Sequence, residues 1–175
     1  TNGNVLSYRV YNDSLGDDFT QVYPQSFIKL NDGTGYVGVG QMFKRGHGYF
    51  VKYNNEGDVI LYKEFPDSYS QADFYRQVVE VTGGFLVIGT KQKMDFLQEI
   101  FVLKTNALGN KLWEKKIASS SRQIDFNTLI RISNNEYVIG SGTFSSSSTP
   151  PAQVTITSKI FAIDSLGNTK WNWES

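Results

Sequence analysis

The chain has 175 residues, enough for one hydrophobic core of its own or for part of a larger one. Its 17 basic and 17 acidic residues cancel, so no overall field favours nucleic acid or an anionic membrane. The absence of cysteine excludes disulfides, thiolate metal sites and cysteine nucleophiles. No segment provides the roughly 18 to 20 apolar residues that span a bilayer, and we therefore expect no membrane insertion.

The composition is typical of an all-β protein. Aromatic residues make up 14% of the chain, and sixteen residues are glycine; strands favour aromatic and β-branched residues, and turns favour glycine. No window of about eleven residues or more shows sustained helical spacing of apolar residues.

In chain order, a pattern of turn glycines recurs. The glycines lie 54, 52 and 58 residues apart, at Gly3, Gly57, Gly109 and Gly167. Residues 100–117 show the pattern in full as an apolar strand, a short glycine turn and a second strand. Residues 161–173 repeat it, residues 50–62 are a looser copy, and residues 1–8 resemble its second half.

A second landmark keeps the same period. Residues 35–40, 84–89 and 136–142 each place an aromatic residue before a short apolar run that ends in glycine, including Gly40 and Gly89. A further apolar segment precedes each of these runs, so each unit contains four strands. In the second unit we expect them at 77–82, 85–90, 100–105 and 111–117.

The strand patterns suggest how a unit is arranged. The second strand is almost continuously apolar, as expected for an inner strand covered on both faces. The fourth strand alternates with Lys and Glu, which suits an exposed edge. Four-stranded antiparallel units at a period near fifty residues predict a β-propeller; a β-sandwich needs no such repeat, and a β-solenoid coil is usually shorter.

We therefore predict a single partial β-propeller over residues 1–175. The predicted parts are an outer strand of a preceding blade at 5–10 and full blades at 27–65, 77–117 and 128–175. Since propellers usually have about four to eight blades, we expect a segment of a larger ring, with further blades from the same or another chain. Two copies assembling into a six-bladed ring are the alternative.

Two acidic dipeptides precede predicted strands, at Asp73-Phe74 and Asp125-Phe126. A repeated acid can be a metal ligand or a catalytic group. We predict instead that each Asp caps the amides of the preceding turn.

The remaining candidates lie in loops, which carry binding in many folds. The predicted loop interaction residues are Phe43, Arg45, His47, Met94, Phe96 and Phe144. His47 is the only histidine, and no nucleophile elbow, paired-histidine motif or phosphate-binding loop accompanies it. We therefore predict no catalytic residue, no metal site and no cofactor.

The landmarks together resemble a known type of repeat. The segments 82–89, 103–113 and 164–171 carry an aromatic-to-glycine run or a Gly-Asn-x-x-Trp turn, the latter with Trp113 and Trp171. This pattern resembles the β-propeller repeats of exported and surface proteins of Bacteroidota that are associated with type IX secretion. The first unit departs from it, with Tyr62 in place of Trp and Asp58 in place of Asn.

The resemblance implies a secreted or cell-surface protein, with the periplasm or outer-membrane exterior as the alternative. We expect a non-enzymatic binding or scaffolding module whose loops meet a protein or glycan partner. Two alternatives remain. One is part of a carbohydrate-active propeller enzyme whose catalytic residues lie on other blades, and the other is a structural domain that supports a neighbouring module.

Overall fold

A computed structural model describes residues 22–42, 45–67, 70–93, 95, 97–121, 123–146 and 154–175, except for a few side chains at strand ends. The predicted outer strand at 5–10 and its turn residue Gly3 lie outside these ranges. All regular secondary structure in the described ranges is β-strand. The all-β prediction is therefore confirmed.

In the described ranges, twelve strands form three four-stranded sheets. The first sheet contains β1 (Val22–Lys29), β2 (Gly35–Met42), β3 (His47–Asn54) and β4 (Val59–Phe65). The second contains β5 (Ser70–Val81), β6 (Gly84–Lys93), β7 (Gln98–Asn106) and β8 (Lys111–Ser120). The third contains β9 (Gln123–Ser133), β10 (Glu136–Ser146), β11 (Val154–Ile163) and β12 (Thr169–Glu174).

Within each sheet, consecutive strands pair antiparallel, so every sheet is a simple meander. The expectation of four-stranded antiparallel units is confirmed. Each sheet is open, with its first and fourth strands at the edges. The apolar second and third strands lie inside, as the sequence pattern indicates.

Several strands are longer than their apolar segments. β5 begins at Ser70 rather than at residue 77, and β6 continues to Lys93 rather than ending at residue 90. The extension pairs with β6 apart from irregularities between Ser70 and Ala72 and between Tyr75 and Gln77, with Asp73 opposite Lys91. Its polar residues resemble a loop in sequence, but backbone pairing depends on the partner strand and tolerates such residues.

The repeated turns share one geometry. Gly57, Gly109 and Gly167 have φ values of 85°, 68° and 77°, a left-handed region that glycine enters without strain. Each turn is also held by the side chain that opens it. In the third unit, for example, the Asp164 carboxylate accepts hydrogen bonds from the amides of Leu166 and Asn168, at 2.9 and 2.8 Å.

The strand register corrects one assignment in the first unit. Trp113 lies opposite Lys104, and Trp171 lies opposite Ala162. The corresponding residue of β4 is Leu61, opposite Lys52, and not Tyr62. An equal spacing from the turn glycine fixes this position, whereas the match of one aromatic residue to another misplaced it by one residue.

The core lies between the sheets in two layers. One layer joins the first and second sheets through residues such as Val37, Phe50 and Phe85. The other joins the second and third sheets through residues such as Ile88 and Tyr137. The second sheet is thus covered on both faces, which explains why β6 reads as an almost continuous apolar run.

Close packing around β6 requires a small residue. A Cβ added to Gly89 would lie 2.3 Å from the Phe74 carbonyl oxygen and 2.7 Å from the Phe101 ring. Gly40, at the equivalent place in β2, is also buried. Glycine therefore allows the backbone to approach its neighbours here.

Candidate functional site

A charged cleft lies between the first and second sheets. Its volume is about 410 Å³. It is lined by residues 64–67, at the end of β4 and the start of its connection to β5, and by Lys91, Lys111 and Glu114 of the second sheet. The cleft therefore joins three segments that are far apart in the sequence.

Lys91 is the central cation of the cleft. Its Nζ donates hydrogen bonds to Glu114 Oε1 at 2.5 Å and to Asp67 Oδ2 at 2.9 Å, and it lies 5.1 Å from the centre of the Phe101 ring. Only 5% of its side chain is exposed. Burial alone would lower the pKa of Lys91, but the two hydrogen bonds outweigh burial and raise it above its ordinary value.

Asp73, in β5, lies opposite Lys91 and is buried. Its amide donates a 2.6 Å hydrogen bond to the Gly46 carbonyl oxygen, but neither carboxyl oxygen has a hydrogen-bond partner among the described residues. The nearby Ser70 hydroxyl donates instead to the carbonyl oxygens of Ala72 and Gln92. The predicted turn cap is therefore wrong at Asp73, because the residue lies within a strand.

Burial raises the pKa of Asp73, and the neighbouring Asp67 and Glu114 carboxylates add to that increase. The Ser70 hydroxyl and the Lys91 ammonium oppose it without reversing it. A carboxyl group in such a place holds its proton to a higher pH than an exposed one. The side chain of the second predicted cap, Asp125, lies outside the described part of the structure.

Tyr75 forms the apolar wall behind Asp73. Its ring lies between those of Phe65 and Phe101, with centroid distances of 5.7 and 5.3 Å, and it is fully buried. Its hydroxyl has no hydrogen-bond partner within the described ranges, and burial raises the pKa of Tyr75 well above its ordinary value. The hydroxyl therefore stays protonated and is a potential donor.

Further ion pairs continue along the edge of the second sheet. Lys93 Nζ lies 3.4 Å from Asp67 and 3.5 Å from Glu99, and Glu99 also lies 3.4 Å from Lys116. Lys111 lies 3.6 Å from Glu114 at the other side of the cleft. The cleft and the strands beside it therefore carry paired positive and negative groups.

Two of the predicted loop residues contact Glu64 at the end of β4. Arg45 Nη1 lies 3.3 Å from Glu64 Oε1, and His47 Nδ1 lies 3.4 Å from Glu64 Oε2. Glu64 alternates with Lys63, which bonds to the second sheet, so the Glu64 side chain lies on the other face of the first sheet and these contacts point away from the cleft. Phe144 lies on β10 in the third sheet and does not line the cleft. Phe43, Met94 and Phe96 lie outside the described residues.

The residues at the centre of the cleft, Lys91, Asp67 and Glu114, were not predicted from the sequence. Val87, Gly89 and Lys91 alternate along β6, so that Lys91 shares a face with two buried residues. That spacing was the available signal for a buried lysine. Asp67 and Glu114 had no comparable signal, because only the packing of one sheet on the next brings them to Lys91.

Among the described residues, no group of three His, Asp or Glu side chains is arranged to hold a metal ion. No helix in the described ranges is long and apolar enough to cross a membrane. No protein-family model matches the chain, and no curated protein matches it either.

Proposed function

We propose that the chain is a non-enzymatic binding or scaffolding module built as part of a β-propeller, with its loops presenting the interaction surface. The blades would be those predicted at 27–65, 77–117 and 128–175. The support for this architecture is the stacking of three consecutive antiparallel meanders through two apolar layers. The proposed location outside the cell rests on the resemblance of the repeat.

The observation that supports ligand binding is the charged cleft between the first two sheets. It is lined by donors such as Lys111 and acceptors such as Asp67, and Phe65 adds an aromatic ring to its lining. Hydroxyl groups both donate and accept hydrogen bonds, and aromatic rings pack on apolar faces. A sugar offers both features, so a glycan is the ligand class that this cleft suits best.

The state of the acidic groups favours binding over catalysis. Asp67 and Glu114 are both engaged by Lys91, so neither is available as an independent acid or base. Asp73 has a raised pKa, which a general acid needs, but it is only 1% exposed and out of a ligand's reach.

A glycan array probed with the 175-residue protein tests the proposal, followed by titration of any glycan that binds. The variants are Lys111→Ala and Asp67→Asn, at two residues that line the cleft. Each should weaken binding about tenfold, equivalent to the loss of one or two hydrogen bonds. Lys170→Ala is the matched control, because Lys170 is a paired surface lysine on the third sheet.

A protein that binds no glycan, or variants that bind as tightly as the control, would contradict a glycan site in the cleft. The carbohydrate-active alternative has one observation in its favour, the raised pKa of Asp73. Turnover of a labelled sugar that disappears in Asp73→Asn would favour that alternative instead.

A further inference from the structure

The two interfaces between sheets are built from equivalent residues. The Lys63 Nζ of the first sheet donates to Asn110 Oδ1 of the second at 3.0 Å. One unit later, the Lys115 Nζ of the second sheet donates to Asn168 Oδ1 of the third at 2.7 Å. In both cases the lysine lies on a fourth strand and the asparagine directly follows the turn glycine of the next unit.

The apolar contacts repeat in the same way. A Cβ added to Gly109 would lie 3.3 Å from the Leu61 side chain, and one added to Gly167 would lie 2.7 Å from Trp113. Leu61 and Trp113 are the equivalent residues of their fourth strands. Each turn glycine is therefore covered by the fourth strand of the preceding sheet.

Each sheet thus has a leading face, which packs on the next sheet, and a trailing face, which packs on the preceding one. In-register residues of antiparallel strands share a face, so the leading faces are defined by rows across the four strands. The rows are Ile28–Val37–Lys52–Leu61, Val79–Leu86–Lys104–Trp113 and Ile130–Val138–Ala162–Trp171.

The leading face of the third sheet carries large exposed apolar side chains. Trp171 is 47% exposed, Trp173 is 52% exposed and Ile130 is 54% exposed. The equivalents of Trp171 and Ile130 in the second sheet, Trp113 and Val79, pack against the core shared with the third sheet. Large exposed apolar side chains grouped on one sheet face are typical of an interaction surface.

The trailing face of the first sheet is partly exposed. Phe27 is 57% exposed, whereas Tyr49 and Val51 on the same face are buried. The Phe27 ring lies 5.5 Å from that of Tyr36 and 5.4 Å from that of Tyr53. Phe27 lies in register with Gly38, as Val78 does with Val87 and Leu129 with Ile139. Both of those equivalents are buried against the preceding sheet.

We propose that these two faces bind each other between two copies of this chain. The leading face of one copy's third sheet would pack on the trailing face of the other copy's first sheet. The argument for this occupant is continuity: the contact would repeat the two interfaces within the chain, using residues at the equivalent positions. Because the two faces differ, the contact is head-to-tail and not symmetric.

The two contacting surfaces suit one another chemically. Trp171 and Trp173 replace the Leu61–Lys63 and Trp113–Lys115 pairs of the other fourth strands. Lys63 and Lys115 each donate a hydrogen bond to the next turn within the chain. At this face, Trp173 occupies the position equivalent to these two lysines. An aromatic cluster on the facing sheet, formed by Phe27, Tyr36 and Tyr53, can pack on these indole rings.

Sedimentation velocity of the 175-residue protein over a wide range of concentration tests the proposal. The wild-type protein should self-associate. Trp171→Lys on one face and Phe27→Glu on the other should each weaken association by more than about tenfold. Leu108→Lys is the matched control, because Leu108 is an equally exposed apolar residue in a turn outside both faces, and it should associate like wild type.

An equimolar mixture of Trp171→Lys and Phe27→Glu gives the sharpest result. In a head-to-tail contact, the intact face of each variant meets the intact face of the other, so the mixture should recover association that neither variant shows alone. A circular dichroism spectrum of each variant establishes that its strands remain folded.

Dimers and larger assemblies both support the contact if the two substitutions weaken them and the mixture restores them. A wild-type protein that remains monomeric overturns it, and so does association that both substitutions leave unchanged. Neither substitution lies in the cleft, so the outcome is independent of glycan binding there.

Discussion

The substitution Lys91→Met tests whether the charges of the cleft form one coupled network. Methionine keeps an unbranched apolar side chain but removes the ammonium group that lies between Asp67 and Glu114. Removing one partner of a buried ion pair costs about 3–5 kcal/mol, because the other charge is left uncompensated.

The exposure of the two carboxylates reduces the expected cost of this substitution. The side chains of Asp67 and Glu114 are 19% and 22% exposed, so water can reach them, and Lys93 and Lys111 remain 3.4 and 3.6 Å away. We therefore expect Lys91→Met to lower the free energy of unfolding by about 2–3 kcal/mol. The matched control Lys93→Met removes a more exposed lysine and should cost less than about 1 kcal/mol.

Urea unfolding at neutral pH, followed by circular dichroism, measures both changes. The pKa of Lys91 is raised in the folded protein, so its stabilising effect is present below the unfolded value of 10.5 and is lost as the pH rises through the higher folded pKa. The difference between wild type and Lys91→Met should therefore shrink in strong alkali. Equal stabilities of the Lys91→Met and Lys93→Met proteins at neutral pH would refute the reasoning.

Three further predictions concern packing and titration. Asp73→Asn should leave the stability at pH 7 unchanged or higher, because burial raises the pKa of Asp73 and so penalises the ionised form. Gly48→Ala should cost about 2–3 kcal/mol, because its Cβ would lie 2.1 Å from the buried Tyr75 ring. Trp113→Ala should cost about 2–3 kcal/mol, less than a fully buried tryptophan, because Trp113 is only partly buried. Thermal or urea unfolding measures all three.

Each of these three predictions has its own control or contradicting result. For Asp73→Asn, wild type should lose stability relative to the variant as the pH rises from below 3.8, the unfolded value; a parallel pH dependence would contradict the assignment. Gly140→Ala meets only a Thr128 methyl group at 3.1 Å and should change stability by less than about 0.5 kcal/mol. A change near zero for Trp113→Ala would mean that its contact with Gly167 contributes nothing.

The sequence by itself determined the features that depend on neighbouring residues. The turn glycines and the Asn or Asp residues that open each turn fix the hairpins, because φ and local hydrogen bonds are set within four or five residues. The apolar run of β6 likewise identified an inner strand, since side-chain alternation needs no distant partner. These signals were sufficient for an all-β chain of four-stranded antiparallel sheets.

Only the tertiary structure decided the features that depend on one sheet packing on another. The polar residues of β5 lie in a strand because β6 pairs with them. Lys91 bonds to Asp67 and Glu114, which lie more than twenty residues away from it in opposite directions along the sequence. The same packing covers Trp113 and leaves Trp171 exposed at the equivalent position. Whether a side chain is buried depends on the residues that pack against it from another sheet, and the sequence around that side chain does not specify those residues.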